Sequence, residues 1–362
     1  MRIAYLNYEK GWRGGERQTL LMAHGMAAKG HQVSVIVRAG EPLSQRLDSG
    51  KVRIIAARNR LHLLYYIFRY RKYFDVWHAQ TANTLTLLSA MRPFIHGVLA
   101  FTRRTAFPLY RPDQRFKWLR KWQVQRKWGR VQAFAAVSSA AAKAPLSLGI
   151  EPTVIHSAVD YVEVNQQRLQ PLRAQLPEGA QVLGTCAALT QEKDPLTLIQ
   201  AVHLLYQNHP RVVFLHFGAD GDVADAARRE VKRLGLEQVY RFMGFNAHIE
   251  DVYRLFDVFV LSSRFEAWSG SVLDAFLYQV PAVATAAGGM PEIVADNRGW
   301  LCPIGDAQAI ADACADILQR PEVAQEKVQA AYRWVREEHG VEQMVDRYER
   351  FYRKYITAEV AA

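Results

Sequence analysis

Short, uncharged apolar runs alternate with longer segments whose apolar residues recur at helical spacing. Residues 2–7 (RIAYLN), 31–38 (HQVSVIVR), 52–57, 75–80 (DVWHAQ), 98–105 (VLAFTRRT) and 131–137 (VQAFAAV) read as buried strands. Continuous apolar runs rich in β-branched residues suit parallel strands covered on both faces. Between the first two, residues 16–29 predict a helix stopped by Gly30, entered through the loop 8–15 with its GWRGGE run. That is a βαβ unit with glycines in its first turn, the usual start of a doubly wound sheet. An aromatic, basic helix is expected over 61–73, and a short strand and turn over 151–160. The chain then becomes polar from 161 to 179, which reads as a linker and the first helix of a second domain. From 181 the rhythm restarts, with strands over 181–189, 212–217, 240–245 and 257–262 and helices over 196–208, 222–234 and 249–256. Helices over 307–318, 323–338 and 341–355 close the chain. The pattern predicts an α/β protein of two doubly wound parallel sheets, one over 1–163 and one over 164–340. The last helix, in 341–362, is amphipathic and rich in Arg and Tyr.

The most informative stretch is 262–292, SSRFEAWSGSVLDAFLYQVPAVATAAGGMPE. It reads as loop, helix, strand and glycine turn. Ser269, Gly270 and Ser271 open an apolar helix that Pro281 ends, because proline lacks a donor and clashes with the preceding turn. Gly288 and Gly289 suit the tight turn that follows. A helix start poor in side chains offers N–H groups and a positive dipole end to an anion. Here that start lies between two carboxylates eight residues apart, Glu266 and Asp274. A phosphate on the helix with carboxylates taking hydroxyls suggests a nucleotide; an ordinary βα unit with a serine cap is the plainer reading.

Composition changes the picture in one respect. The chain has 362 residues, a net charge of +11 and a pI near 9.6, which favours a polyanionic partner. The stretch 111–130 (RPDQRFKWLRKWQVQRKWGR) is dense in Lys and Arg against the single Asp113, interleaved with Phe116, Trp118, Trp122 and Trp128. Trp118 and Trp122 share a helix face. This is the composition of an interfacial membrane helix. Stacking on nucleic acid, or a surface helix burying its tryptophans, also fits. His78 ends one strand, and Arg103 and Arg104 end another, at the edge where open α/β sheets bind ligands; a satisfied core histidine and a solvated arginine pair are the plainer readings. Adjacent arginines there suit phosphate or carboxylate. Cys186, Cys302 and Cys314 show neither zinc spacing nor a disulfide framework, so a reducing cytoplasm is expected. No run is long and apolar enough to span a bilayer, and MRIAYLNYEKG reads as a strand rather than a signal peptide.

On these residues the chain resembles the retaining glycosyltransferases of family 4, with the GT-B fold of two Rossmann-like domains facing a central cleft, which implies that the last helix, in 341–362, crosses back to the first domain. Glu266 matches the first acid of that family's E-x7-E motif, and Asp274 stands in place of the second. Gly288–Glu292 (GGMPE) and Lys193 are also typical. The resemblance implies a nucleoside-diphosphate sugar donor carrying UDP, GDP or ADP, and a glycan or lipid-linked acceptor. It implies Glu266, His78 and Lys193 as catalytic residues. Gly14, Gly15, Glu16, Gly218, Gly244, Phe245, Ser269, Gly270, Ser271, Val272 and Asp274 are implied on the donor, with Arg103 and Arg104 on the acceptor. Lys193 and the N–H groups near Ser269–Val272 would stabilise the leaving diphosphate, Asp274 would take the ribose hydroxyls and Glu266 a sugar hydroxyl. No metal or other cofactor is expected. The family's usual arginine near Lys193 is here Ala188, so another cation is expected. The implied setting is lipopolysaccharide core or another cell-surface polysaccharide. The enzyme would be cytoplasmic, peripheral at the inner face of the inner membrane, touching an anionic membrane surface through 111–130, with no nucleic-acid partner. The alternatives are a nucleotide-sugar epimerase on the same fold and a non-catalytic polyanion-binding protein.

Overall fold

The computed structural model describes residues 1–109 and 117–361. The chain folds as two compact domains, Met1–Asp160 with His339–Ala362, and Tyr161–Glu338.

The N-terminal domain runs β1 (Arg2–Asn7), α1 (Gly14–Ala28), β2 (Gln32–Arg38), α2 (Pro42–Arg46), β3 (Arg53–Ala57), α3 (Arg60–Arg69), β4 (Val76–Ala79), α4 (Ala82–Met91), β5 (Val98–Arg103), α5 (Lys117–Trp128), β6 (Ala133–Ala136), α6 (Ser139–Leu146) and β7 (Thr153–Val154). The C-terminal domain runs α7 (Gln166–Arg173), β8 (Gln181–Cys186), α8 (Pro195–Asn208), β9 (Val212–Phe217), α9 (Ala224–Arg233), β10 (Tyr240–Gly244), α10 (Ile249–Val252), β11 (Val258–Leu261), α11 (Gly270–Leu277), β12 (Ala282–Thr285), α12 (Met290–Val294), β13 (Trp300–Cys302), α13 (Ala307–Gln319) and α14 (Pro321–Glu338). Helix α15 (Val341–Ala361) then rejoins the N-terminal domain.

The sheets are ordered β3-β2-β1-β4-β5-β6-β7 and β10-β9-β8-β11-β12-β13. Every pairing within them is parallel. In each, the first strand of the domain has its sequence successor on one side and a later strand on the other. The strand order therefore reverses between β1 and β4, and again between β8 and β11. Loops leaving the carboxyl ends of strands diverge at such points and leave a crevice for ligands.

One face of the N-terminal sheet is covered by α1, α2 and α15, through residues such as Met22, Leu43 and Tyr348. The other face is covered by α3, α4 and α5, through Leu63, Leu85, Val124 and Trp128. Gly25 lets α15 approach α1, since a Cβ there would lie 2.4 Å from Val345 Cγ2. In the C-terminal domain Leu183, Phe214 and Val260 of the sheet pack with Leu198 and Ile310 of α8 and α13.

Several local expectations shift. Residues 14 and 15, expected in the loop, already belong to α1. The helix expected over 61–73 ends at Arg69. Helix α4 has no counterpart in the sequence reading; Thr81 caps it by accepting from Thr84 N at 3.2 Å, and its apolar, uncharged composition hides the helical period. Residues 111–116 lie outside the described residues, and 117–128 form α5.

Candidate functional site

In the C-terminal domain the chemistry gathers where the strand order reverses. The turn after β8 brings Lys193 and Asp194. Asp194 adopts a left-handed φ of 48° and caps α8, accepting from Thr197 N at 3.4 Å, and it also accepts from Thr197 Oγ1 at 2.8 Å. The loop after β11 is tied to that turn. Ser262 Oγ donates to the Lys193 and Asp194 carbonyls at 2.9 and 3.0 Å, and Thr285 Oγ1 donates to Ser263 O at 2.6 Å. These bonds fix the loop so that Lys193 Nζ donates to Glu266 Oε2 at 2.5 Å. Gly289 N donates to Glu266 O at 3.0 Å, so the glycine turn holds the same residue from the other side.

Ser269 caps α11, accepting from Val272 N at 3.4 Å, and its Oγ lies 3.0 Å from Ser271 Oγ. The first intrahelical bond runs from Leu273 N to Ser269 O. The Gly270 and Ser271 N–H groups therefore precede the helical ladder, whereas Val272 spends its N–H on the cap. A Cβ at Gly270 would meet nothing within 4 Å, so there is open space at this positive helix end.

Asp274 is buried in the helix interior. Its charge reaches the Cys186 thiol at the end of β8, whose pKa is raised mainly by burial. Gly218 sits where β8 and β9 converge, and a Cβ there would lie 1.9 Å from Ala187 O. Gly244 has a φ of 72°, its carbonyl accepts from Gly218 N at 2.9 Å, and Phe245 beside it is exposed. Ala188 stands in the turn before Lys193. The sequence reading missed Arg264, whose Nε donates to Asp194 Oδ2 at 2.7 Å and whose N–H donates to Glu192 O at 2.7 Å. Its position two residues before Glu266 was the available signal.

The N-terminal domain corrects one expectation, for His78, and shows what Glu16 and Arg103 touch. His78 was expected to face the donor sugar. It is fully buried, with Nδ1 2.6 Å from Tyr352 Oη and Nε2 2.9 Å from Thr102 Oγ1. Thr102 Oγ1 is itself 2.8 Å from Tyr348 Oη. Burial, and then the Arg104 charge, push the histidine pKa well below its usual value. Both ring nitrogens are thus spent on fastening α15 to β4 and β5, and His78 is a structural residue. Glu16 was expected on the donor. Its Oε2 accepts from Arg13 N at 3.0 Å, closing the start of its own helix, and Oε1 lies 3.5 Å from Asn7 Nδ2. Gly14 and Gly15 border open space. Arg103, expected on the acceptor, is buried over the Trp128 ring at 5.3 Å and donates to Phe107 O. Burial pushes its guanidinium down to about 10, still charged at neutral pH.

Arg104 differs. It donates to Gln80 Oε1 at 2.6 Å, and Thr19 Oγ1 lies 3.4 Å from that oxygen and 3.0 Å from Asn7 Nδ2. A polar chain therefore lines the carboxyl edge where β1, β4 and β5 end. The Gln80 Nε2 and Arg104 Nε atoms on it are buried without a partner. Among the described residues no three His, Cys, Asp or Glu side chains group as metal ligands, and no helix is long and apolar enough to cross a membrane.

Known proteins place this arrangement. Residues 12–163 match the sequence profile of Glycosyltransferase Family 4, and residues 168–334 match that of Glycosyl transferases group 1. Together the two profiles span most of the chain, which belongs to the family 4, group 1 glycosyltransferases. N-acetyl-alpha-D-glucosaminyl L-malate synthase of Bacillus anthracis is 29% identical over 123 residues, covering 34% of this chain and 32% of that one. The lipopolysaccharide core biosynthesis mannosyltransferase LpsB of Rhizobium meliloti is 33% identical over 101 residues, covering 27% of this chain and 29% of that one. The chain thus matches about a third of the length of these relatives. The crystal structure of Anabaena HepE with UDP-glucose has the same fold at a TM-score of 0.83 and 19% identity, covering 100% of this chain and 99% of that one.

Proposed function

We propose that the chain transfers a sugar, with retention of configuration, from a nucleoside-diphosphate sugar to a hydroxyl of a glycan or lipid-linked acceptor in cell-surface polysaccharide synthesis. The observation that carries this is the Lys193–Glu266 pair beside the open, Ser269-capped start of α11. On donor binding Lys193 exchanges Glu266 for the diphosphate, and Glu266 is released to accept from a sugar hydroxyl. The Gly270 and Ser271 N–H groups face the same phosphates. Charge developing on the leaving diphosphate then meets preorganised donors, the arrangement that lowers such barriers most. Arg264 supplies the second cation in place of an arginine at 188. The leaving phosphate takes the acceptor proton, so no protein nucleophile is required. Lys193 and Arg264 supply the positive charge, and transfer proceeds without an added divalent ion or other cofactor. Arg104 and the polar chain around Gln80 are assigned to the acceptor. The presence of UDP-glucose in the HepE structure and the role of LpsB in lipopolysaccharide core synthesis support this reading.

The test is a thermal-shift screen against UDP-, GDP- and ADP-sugars, followed by nucleotide release with and without candidate acceptors. One nucleotide should raise the midpoint by mass action. Acceptor-dependent release, abolished in Glu266→Ala while donor binding persists, is the expected result. Isomerised donor formed without acceptor overturns the proposal in favour of an epimerase.

A further inference from the structure

We infer that the α3–α4–α5 layer of the N-terminal domain is a docking surface for an anionic lipid bilayer. The inference rests on charge and exposure within that domain and is independent of the transfer reaction. Helix α4 lies between α3 and α5 and touches both, and all three bury their inner faces in one core on the same side of the sheet. Their outer faces therefore form a single surface.

That surface is unusual in three ways. First, α3 exposes Leu61 (76% exposed), Tyr65 and Phe68, at positions i, i+4 and i+7 of one face, while Leu63 and Ile67 supply the buried face. Second, the first half of α5 buries nothing: every residue from Trp118 to Gln123 is exposed, with Trp118 at 70% and Trp122 at 53%. Only Val124 and Trp128 reach the core. A helix turn that presents tryptophan and leucine to water on its own account implies a cover. Third, no acid occurs in any of the three helices. Residues 49–150 carry 19 of the 46 Lys and Arg but only two of the 35 acids, Asp75 and Asp113, leaving 27 basic residues against 33 acids elsewhere. The whole positive excess of the chain thus lies in this segment.

Large aromatics flanked by Lys and Arg, without acids, match the boundary between headgroups and acyl chains of an anionic bilayer. The outer face of α4 is small and uncharged, with Asn83, Thr86 and Ala90, so the layer offers a broad plane rather than a groove. Leu61 and Leu119 can enter acyl chains but cannot stack on bases, which favours lipid over nucleic acid. Self-pairing through this face would set like charges against one another. Because α3, α4 and α5 each run back from the end of one parallel strand to the start of another, their first turns lie at the carboxyl edge of the sheet. Docking by Leu61, Trp118 and Trp122 therefore brings Gln80 and Arg104 to the membrane side.

The test is flotation of the full chain with vesicles of equal parts phosphatidylglycerol and phosphatidylcholine, against phosphatidylcholine alone. Binding is expected only to the anionic vesicles and to weaken as salt rises. A basic residue near such a surface is worth roughly fivefold in partition, so Arg120→Gln with Lys121→Gln should weaken binding about 25-fold. Trp118→Ala with Trp122→Ala should weaken it about tenfold and remove the blue shift of tryptophan emission on binding. All four side chains are exposed, and an unchanged thermal midpoint confirms that the variants fold. Equal binding to both vesicle types, undiminished binding by both double variants, tighter binding to single-stranded RNA than to vesicles, or a dimer lost in the tryptophan variant each overturns the inference.

Discussion

Replacing Lys193 by Met separates the catalytic account of the site from a merely structural one. Lys193 and Glu266 pair at 2.5 Å with side chains 29% and 12% exposed. The pair lies between an exposed bridge, worth under about 1 kcal/mol, and a buried one, whose disruption costs about 3–5 kcal/mol. Ser263 Oγ remains 3.4 Å from the abandoned Glu266 oxygen and relieves part of the loss. The expected destabilisation is therefore about 1–2 kcal/mol, or roughly 2–8 °C in the unfolding midpoint of a domain of this size. Catalysis should suffer more. Removing one preorganised donor from a developing oxyanion costs about 2.7–4 kcal/mol, a loss of about 10²–10³ in kcat. The assay is steady-state nucleotide release with the donor selected by thermal shift, at a temperature where both proteins are folded. A kcat within about threefold of the parent, alongside the lower midpoint, would falsify the assignment of Lys193 to the diphosphate and leave it a structural tie.

Other predictions address each domain separately. Arg264→Ala should weaken donor binding about tenfold or more by titration, the scale of a lost charge-assisted hydrogen bond, and unchanged affinity removes it as the second cation. Tyr352→Phe leaves His78 Nδ1 without its hydroxyl and should cost about 1–3 kcal/mol in the N-terminal domain without changing donor affinity, as denaturant unfolding and titration will show. His216 donates from Nε2 to Ala187 O at 2.9 Å and accepts from Tyr240 Oη at 2.7 Å through Nδ1, and burial pushes its pKa down to about 4. The unfolded histidine takes up a proton near pH 6.5 and the folded one does not, so stability present above that pH is lost as pH falls toward 4, by about 3 kcal/mol for this group. His216→Gln should flatten that part of the stability–pH curve; an unaltered slope contradicts the assignment. Gly218→Ala drives a Cβ into the Ala187 carbonyl and should cost about 3 kcal/mol, whereas Gly270→Ala, in open space, should fold normally.

The strands and their parallel pairing were legible in the chain because parallel strands are buried on both faces and so appear as unbroken apolar runs. Glu266 and the Ser269 start of α11 were legible because a capped helix entry and its neighbouring acid lie within one short stretch. The contacts of His78 and Arg103 were not legible for a single reason. A strand-end histidine or arginine looks alike in sequence whether it faces a ligand or a neighbour. The neighbours that decide their roles are Tyr352, 274 residues away from His78, and Trp128, reached only after α5 folds back on the sheet. The pairing of Lys193 with Glu266, 73 residues apart, likewise appears only when β8 and β11 become adjacent. Trp118, Trp122 and Trp128 show the division most plainly. The sequence alone established a helix dense in tryptophan and positive charge. Only the packing of Val124 and Trp128 against the sheet decided which tryptophan is core and which two face outward, because burial depends on what a helix rests on as well as on its own period.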